Sequence, residues 1–191
     1  MHPPKSKMFR GCNPRVTAII AVGASLSLAS PADASERDWA KASDVGRDVL
    51  FYTALGYPAI QGDWNGLGQA ALTLGSTRLV TDGLKDVVGE ERPDGSDNKS
   101  FPSGHTSMSF AAAGTLHKRY GWEIGIPAHA VAVFVGVARV KANKHFVHDV
   151  VAGAAVGEAA AWLITRRKSD KVQWLPWGDT SGAGVTVLIH D

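Results

Sequence analysis

Apolar positions recur at helical spacing in five stretches of the chain. The pattern predicts helices over roughly Ala42–Leu55, Gly66–Gly89, Ser103–Tyr120, Pro127–Lys141 and Phe146–Arg167. Gly56-Tyr57-Pro58, Arg92-Pro93-Asp94-Gly95 and Gly121 stand between them as breakers. Glu90–Phe101 is polar and turn-rich, which predicts a surface loop at one end of the assembly. In the tail, Val172–Trp177 and Val185–Ile189 flank the glycine-rich stretch 178–184, which predicts a small β-hairpin or an extended flap. The expected fold is all-α: a compact helical bundle of about five to six helices with a short C-terminal appendage. The uncharged stretches are short or diluted by Gly, Pro, Asn, Gln and His, and Glu158 interrupts the last. Helices of a soluble bundle fit this dilution better than bilayer spans, although the last two segments are nearly apolar all round.

The amino terminus follows another pattern. Lys5, Lys7, Arg10 and Arg15 precede an apolar run from Val16 to Ala29, and Ala32-Asp33-Ala34 puts small residues at a cleavage position. This is the layout of a secretory signal, and the apolar run is short of the ~20 residues of a bilayer span. Residues 1–34 are therefore expected to be a signal peptide. Residues 35–191 should form one exported, periplasmic domain with peripheral membrane contact left open, and a short membrane anchor is the alternative reading of residues 16–29. The sole cysteine, Cys12, would leave with the signal. Without residues 1–34 the chain keeps 16 basic against 17 acidic residues, so its +2 formal charge reflects the amino terminus. No global basic field argues for nucleic acid as a partner. Any positive charge that matters must be local.

Three local clusters carry such charge. Lys85 and Arg92 are spaced close to two helical turns, so a continuing helix, stopped by Pro93, would place both on one face. Phe101-Pro102-Ser103-Gly104-His105-Thr106 precedes an apolar helix. There Ser103 is a natural N-cap, Gly104 allows close approach to the backbone, and free N–H groups suit an anion beside His105. In the third cluster, Arg139 precedes His145, and Asp149 follows His145 at i+4. A carboxylate on one imidazole nitrogen sets the tautomer and frees the other nitrogen to act as nucleophile or ligand, while Arg139 can grip phosphate bidentately. Together the clusters supply cations, backbone donors, an attacking His and a proton-donating His. Phosphoryl transfer needs mainly positioning and charge stabilisation, so this set requires no metal and no other cofactor.

The order Lys85-x6-Arg92-Pro93, Pro102-Ser103-Gly104-His105, Arg139-x5-His145-x3-Asp149 resembles the type 2 phosphatidic acid phosphatase superfamily. That superfamily also holds bacterial class A acid phosphatases and vanadium haloperoxidases. The resemblance spans a motif core of residues 85–149. It implies a helical bundle with its site at one end and hydrolysis of phosphate monoesters, lipid phosphates such as phosphatidate among them, through a phosphohistidine. Lys85, Arg92, Ser103, Gly104 and Arg139 would bind phosphate. His145 would be the nucleophile, Asp149 its partner and His105 the general acid. Ala138 departs from the pattern, which usually has Ser before the third-motif Arg.

Other readings use overlapping residues. A broad-specificity soluble acid phosphatase would share the whole site. His148-Asp149 could belong to a metal-dependent His-Asp phosphohydrolase with His105 and Asp170, which leaves Lys85, Arg92 and Ser103-Gly104 unexplained. A vanadate-holding haloperoxidase would need a larger chain. A non-catalytic phosphate-binding module would not need His105 together with the His145–Asp149 pair. Trp64, Trp122, Trp162, Trp174 and Trp177 are read either as a lipid-facing rim or as core aromatics.

Overall fold

A computed structural model describes residues 35–168, 172–179 and 182–189, so the expected signal segment lies outside the described residues. Five helices are present among them: α1 (Glu36–Ile60), α2 (Trp64–Val88), α3 (Gly104–Tyr120), α4 (Trp122–Lys141) and α5 (Val147–Ile164). They are followed by strands β1 (Val172–Asp179) and β2 (Gly182–Ile189). The strands pair antiparallel, from Val172 opposite Ile189 to Asp179 opposite Gly182. The all-α bundle with a terminal hairpin is as expected, and the differences lie at helix ends.

α1 runs past both of its expected limits. At its start the Ser35 hydroxyl accepts from the Asp38 amide, and the Asp38 carboxylate accepts the Ser35 N–H at 3.2 Å. Pro58 does not break it, because the ring's fixed φ is helical and only one hydrogen bond is lost, close to the end. α2 stops at Gly89, which takes the left-handed conformation (φ 62) that favours glycine at a helix end. Arg92 therefore lies in the following loop, not on a helical face shared with Lys85. α4 begins at Trp122 and carries Pro127 within it.

α3 packs against each of the other four helices. The interior it shares with them is built from small side chains: Ala54, Ala70, Ala111, Ala112, Ala113 and Ala132 are fully buried, as are Thr73, Thr77, Thr106 and Thr115. Large apolar side chains point outward instead, among them Leu72, Leu79, Val133, Val151 and Leu163. A soluble bundle, which the sequence led us to expect, buries its large residues and exposes polar ones. Here Leu50, Leu74, Leu116 and Val135 are buried but many other large apolar side chains face outward, and α4 and α5 are long and apolar enough to cross a membrane. Small interfacial residues let helix backbones approach closely, as in membrane bundles. Gly153 and Gly157 show this for α5. A Cβ on Gly153 would lie 2.6 Å from the Ser103 carbonyl oxygen, and one on Gly157 would collide with the carbonyl of Ser107. The contact brings the start of α5 against the start of α3.

Candidate active site

Chain direction alternates through the bundle, so one end collects the first half of α1, the end of α2, the starts of α3 and α5 and the end of α4. A cavity of about 450 Å³ opens there, lined by Lys85, Arg92, Gly104, His105, Arg139 and His145. Six of the eight expected site residues thus share one cavity, although they come from five segments. Asp149 stands behind His145, fully buried.

His145 lies in the α4–α5 connection, and its partner sits across the start of α5. His145 Nδ1 is 3.4 Å from Asp149 Oδ2, which also accepts from Ser100 Oγ at 2.6 Å and from the Phe146 amide at 2.9 Å. These two firm bonds fix the carboxylate, which in turn orients the imidazole and leaves Nε2 toward the cavity. Arg92 Nη1 is 3.3 Å from that nitrogen. Arg92 is held by Asp97, whose Oδ1 accepts from its Nε at 2.7 Å, and by the Lys144 carbonyl. Burial, and then the positive charges of Arg139, Arg92 and Lys85, push the His145 imidazole below its ordinary range. It is therefore neutral at physiological pH, with an unprotonated nitrogen able to attack.

His105 occupies the first turn of α3, where N–H groups have no intrahelical acceptor. Its Nε2 meets two groups of α1: Asp44 Oδ1 at 2.6 Å and Arg47 Nη1 at 2.7 Å. Burial, then Arg139 and Arg47, push His105 down to about 4, with Asp44 opposing the shift. A phosphate dianion among these cations would offset them and favour the protonated imidazole, and Asp44 would then accept its proton-bearing nitrogen. Asp44 and Arg47 escaped the sequence reading. Their only signal was a pair of opposite charges at i and i+3 on an otherwise unremarked helix.

Two expected ligands stand differently from their assigned roles. The Ser103 hydroxyl is fully buried and does not line the cavity; it accepts from Thr106 Oγ1 at 2.9 Å and makes no cap bond. Its backbone is what matters locally, since Ser103 N donates to the Asp149 carbonyl at 3.0 Å and ties α3 to α5. Lys85 lines the cavity but spends its donors on the carbonyls of Lys99, Ser100 and Pro102. It thereby staples the loop that carries Ser100, and burial, then Arg92, lowers it to about 8. Arg139 has a donor to spare: its Nη1 donates to Ser43 Oγ at 3.3 Å, whereas its buried Nε has no partner among the described residues. A buried guanidinium donor left free is suited to an incoming anion oxygen. Ala138 is fully buried in the helix-packed interior.

A family model described as the PAP2 superfamily matches residues 66–173. Over 130 residues the chain is 31% identical to the lipid A 4'-phosphatase of Helicobacter pylori, covering 62% of this chain and 65% of that one. It thus spans a little under two thirds of that relative's length. Aquifex aeolicus LpxE shares the fold, with TM-score 0.59 and 22% identity over 67% of this chain and 83% of that one. A transmembrane PAP2 type phosphatidylglycerolphosphate phosphatase from Bacillus subtilis aligns with TM-score 0.55 and 27% identity, over 68% and 74% of the two chains. The matched segment contains every residue that lines the end cavity from Lys85 onward, on the same helical frame, and the chain belongs to the PAP2 superfamily.

Proposed function

We propose that this protein is a metal-independent phosphatase of lipid phosphates, held in a bilayer with α4 and α5 spanning it. The observation that carries the reading is His145: a neutral imidazole backed by Asp149, with Nε2 facing a cavity ringed by Lys85, Arg92 and Arg139. Cations there neutralise the equatorial oxygens of a phosphate, and the first-turn amides of α3 add donors. His145 Nε2 attacks phosphorus, and the ester oxygen departs with a proton from His105. Water, deprotonated by His105, then releases phosphate from the phosphohistidine. The acidic groups at the rim do not gather into a metal cluster, since Asp82, Asp86 and Asp97 pair with Arg78, Lys99 and Arg92. The lipid class is supported by the outward apolar residues and by the lipid phosphatases that the chain resembles. Residues 1–34 are proposed to be a cleaved export signal. Cleavage before Ser35 would leave its amino group at the hydrogen-bonding distance that the Ser35 amide now keeps from Asp38.

The test uses full-length protein purified in detergent. Phosphatidate and a soluble aryl phosphate are compared with EDTA present, and quenched reactions with labelled substrate are mapped for the phosphoryl group. Turnover in EDTA, with acid-labile label on His145 and none in His145→Ala, is the expected result. Label on another residue, near-normal turnover in His145→Ala, or activity that depends on added divalent metal would each overturn the mechanism.

A further inference from the structure

Behind the nucleophile, on the side away from the cavity, Asp149, whose second oxygen the proposed reaction does not use, converges with His148 and Glu90. Asp149 turns Oδ2 toward His145 and Ser100, but its other oxygen, Oδ1, is fully buried with no hydrogen-bond partner among the described residues. His148 Nε2 lies 3.2 Å from that oxygen, yet its own hydrogen-bonding direction is toward Glu90, at 2.8 and 3.1 Å from the two carboxylate oxygens. One donor atom each from Glu90, His148 and Asp149 lie within 4.8 Å of one another. Tetrahedral ligands at ~2.0–2.1 Å from an ion stand about 3.4 Å apart, so these donors are close to the spacing of a bound ion. A buried carboxylate oxygen without a donor is costly, and a cation removes that cost. The side chain of His148 is half exposed, which leaves an entry path from solvent.

We propose that Glu90, His148 and Asp149 form a regulatory site for one divalent transition cation of the zinc class, whose binding suppresses turnover. One imidazole with two carboxylates suits such an ion better than magnesium or calcium, which favour all-oxygen sets. The effect on rate follows from the shared carboxylate. An ion on Asp149 Oδ1 draws charge from Oδ2, weakens its hold on His145 Nδ1, and makes Nε2 a poorer nucleophile. This rests on the phosphatase reading, but binding itself does not. Full-length, tag-free protein stripped with EDTA is titrated with Zn²⁺ by calorimetry and with Co²⁺ by visible absorption. One equivalent should bind, and both Glu90→Gln and His148→Ala should weaken it by ~10–100-fold, the scale set by loss of metal-supporting groups. Aryl phosphate turnover should fall as Zn²⁺ saturates, recover in EDTA, and lose this response in both variants, each measured against its own EDTA rate. Absence of stoichiometric binding, or binding unchanged in both variants, overturns the site. Binding that leaves turnover untouched overturns the regulation. A chain without phosphatase activity fails the reading above and is recognised as such, because calorimetry and the Co²⁺ spectrum still report the site.

Discussion

At the residue scale, the site solves one problem twice. In the proposed reaction each imidazole sits among cations that would hold phosphate, and each cation disfavours the protonated ring. For the proposed nucleophile this is useful, because a depressed His145 stays neutral and its acid limb should lie low. For the proposed general acid it is a handicap, and Asp44, 2.6 Å from His105 Nε2, is the group that opposes it. The kcat–pH profile should reveal both roles with opposite signs. Removing the positive charge of Arg92 relieves the repulsion on His145⁺, so its proton is held more tightly. The acid limb in Arg92→Gln should therefore move to higher pH. In Asp44→Asn the protonated form of His105 loses its acceptor, its proton leaves more easily, and the basic limb should move to lower pH. Shifts of about one pH unit are expected, the lower end of the effect of a nearby charge. Profiles of the two variants that move in the same direction would contradict these assignments.

At the scale of elements, the site depends on α5 lying flush against α3. Gly153 and Gly157 allow that approach, and His145 and Asp149 meet the start of α3 only because of it. Gly157→Leu should force the helices apart, with a loss of ~1–3 kcal/mol from overpacking alone. Thermal unfolding in detergent and turnover should both drop. Gly83→Ala serves as the control, since nothing lies within 4 Å of its added Cβ; propensity there favours Ala by up to ~1 kcal/mol. Much of this level was legible beforehand. The five helices, the 90–101 loop and the hairpin all follow from periodicity and breakers, and the ordered motifs located six cavity residues. What could not be read was the meaning of an end. α2 was expected to end near Gly89, yet its helical spacing was carried on to Arg92, which the left-handed Gly89 rules out. Asp44, Arg47 and Ser100 reach the site only through tertiary packing, and no spacing in the chain announces them. Ser103 occupies the N-cap position in backbone terms, whereas its hydroxyl turns to Thr106, a choice made by packing rather than by sequence.

For the whole molecule, the arrangement of residue sizes is the decisive feature. Small and hydroxylated residues make up much of the interior beside Leu50, Leu74, Leu116 and Val135, while many Val, Leu, Phe and Trp side chains lie outside. Trp64, Trp122 and Trp162 are all exposed, at the end of the bundle opposite the cavity, so of the two readings of the tryptophans the rim is the one that suits these three. Trp174 and Trp177 belong to the hairpin, and their side chains lie outside the described residues. Polar dilution of the helices suggested a soluble bundle because, in water, polar residues mark the outside. In a bilayer the same dilution marks the inside, and sequence periodicity does not tell one from the other. The two environments make opposite predictions for one substitution. Val133 lies near the middle of α4 with 54% of its surface exposed. In water, Val133→Arg on an exposed face should change stability by no more than ~0.5 kcal/mol. At the centre of a lipid-facing helix, the same change should cost roughly 2.5–3.5 kcal/mol by the lower, insertion-based scale. Protein reconstituted in lipid nanodiscs should therefore show a marked fall in thermal stability for Val133→Arg. Lys141→Arg, at the cavity end of the same helix, should unfold like the parent. Parent-like unfolding of Val133→Arg, together with release of the untreated protein from membranes by alkaline carbonate, would remove the bilayer from the proposed function. The lipid substrate would then have to reach the cavity from water.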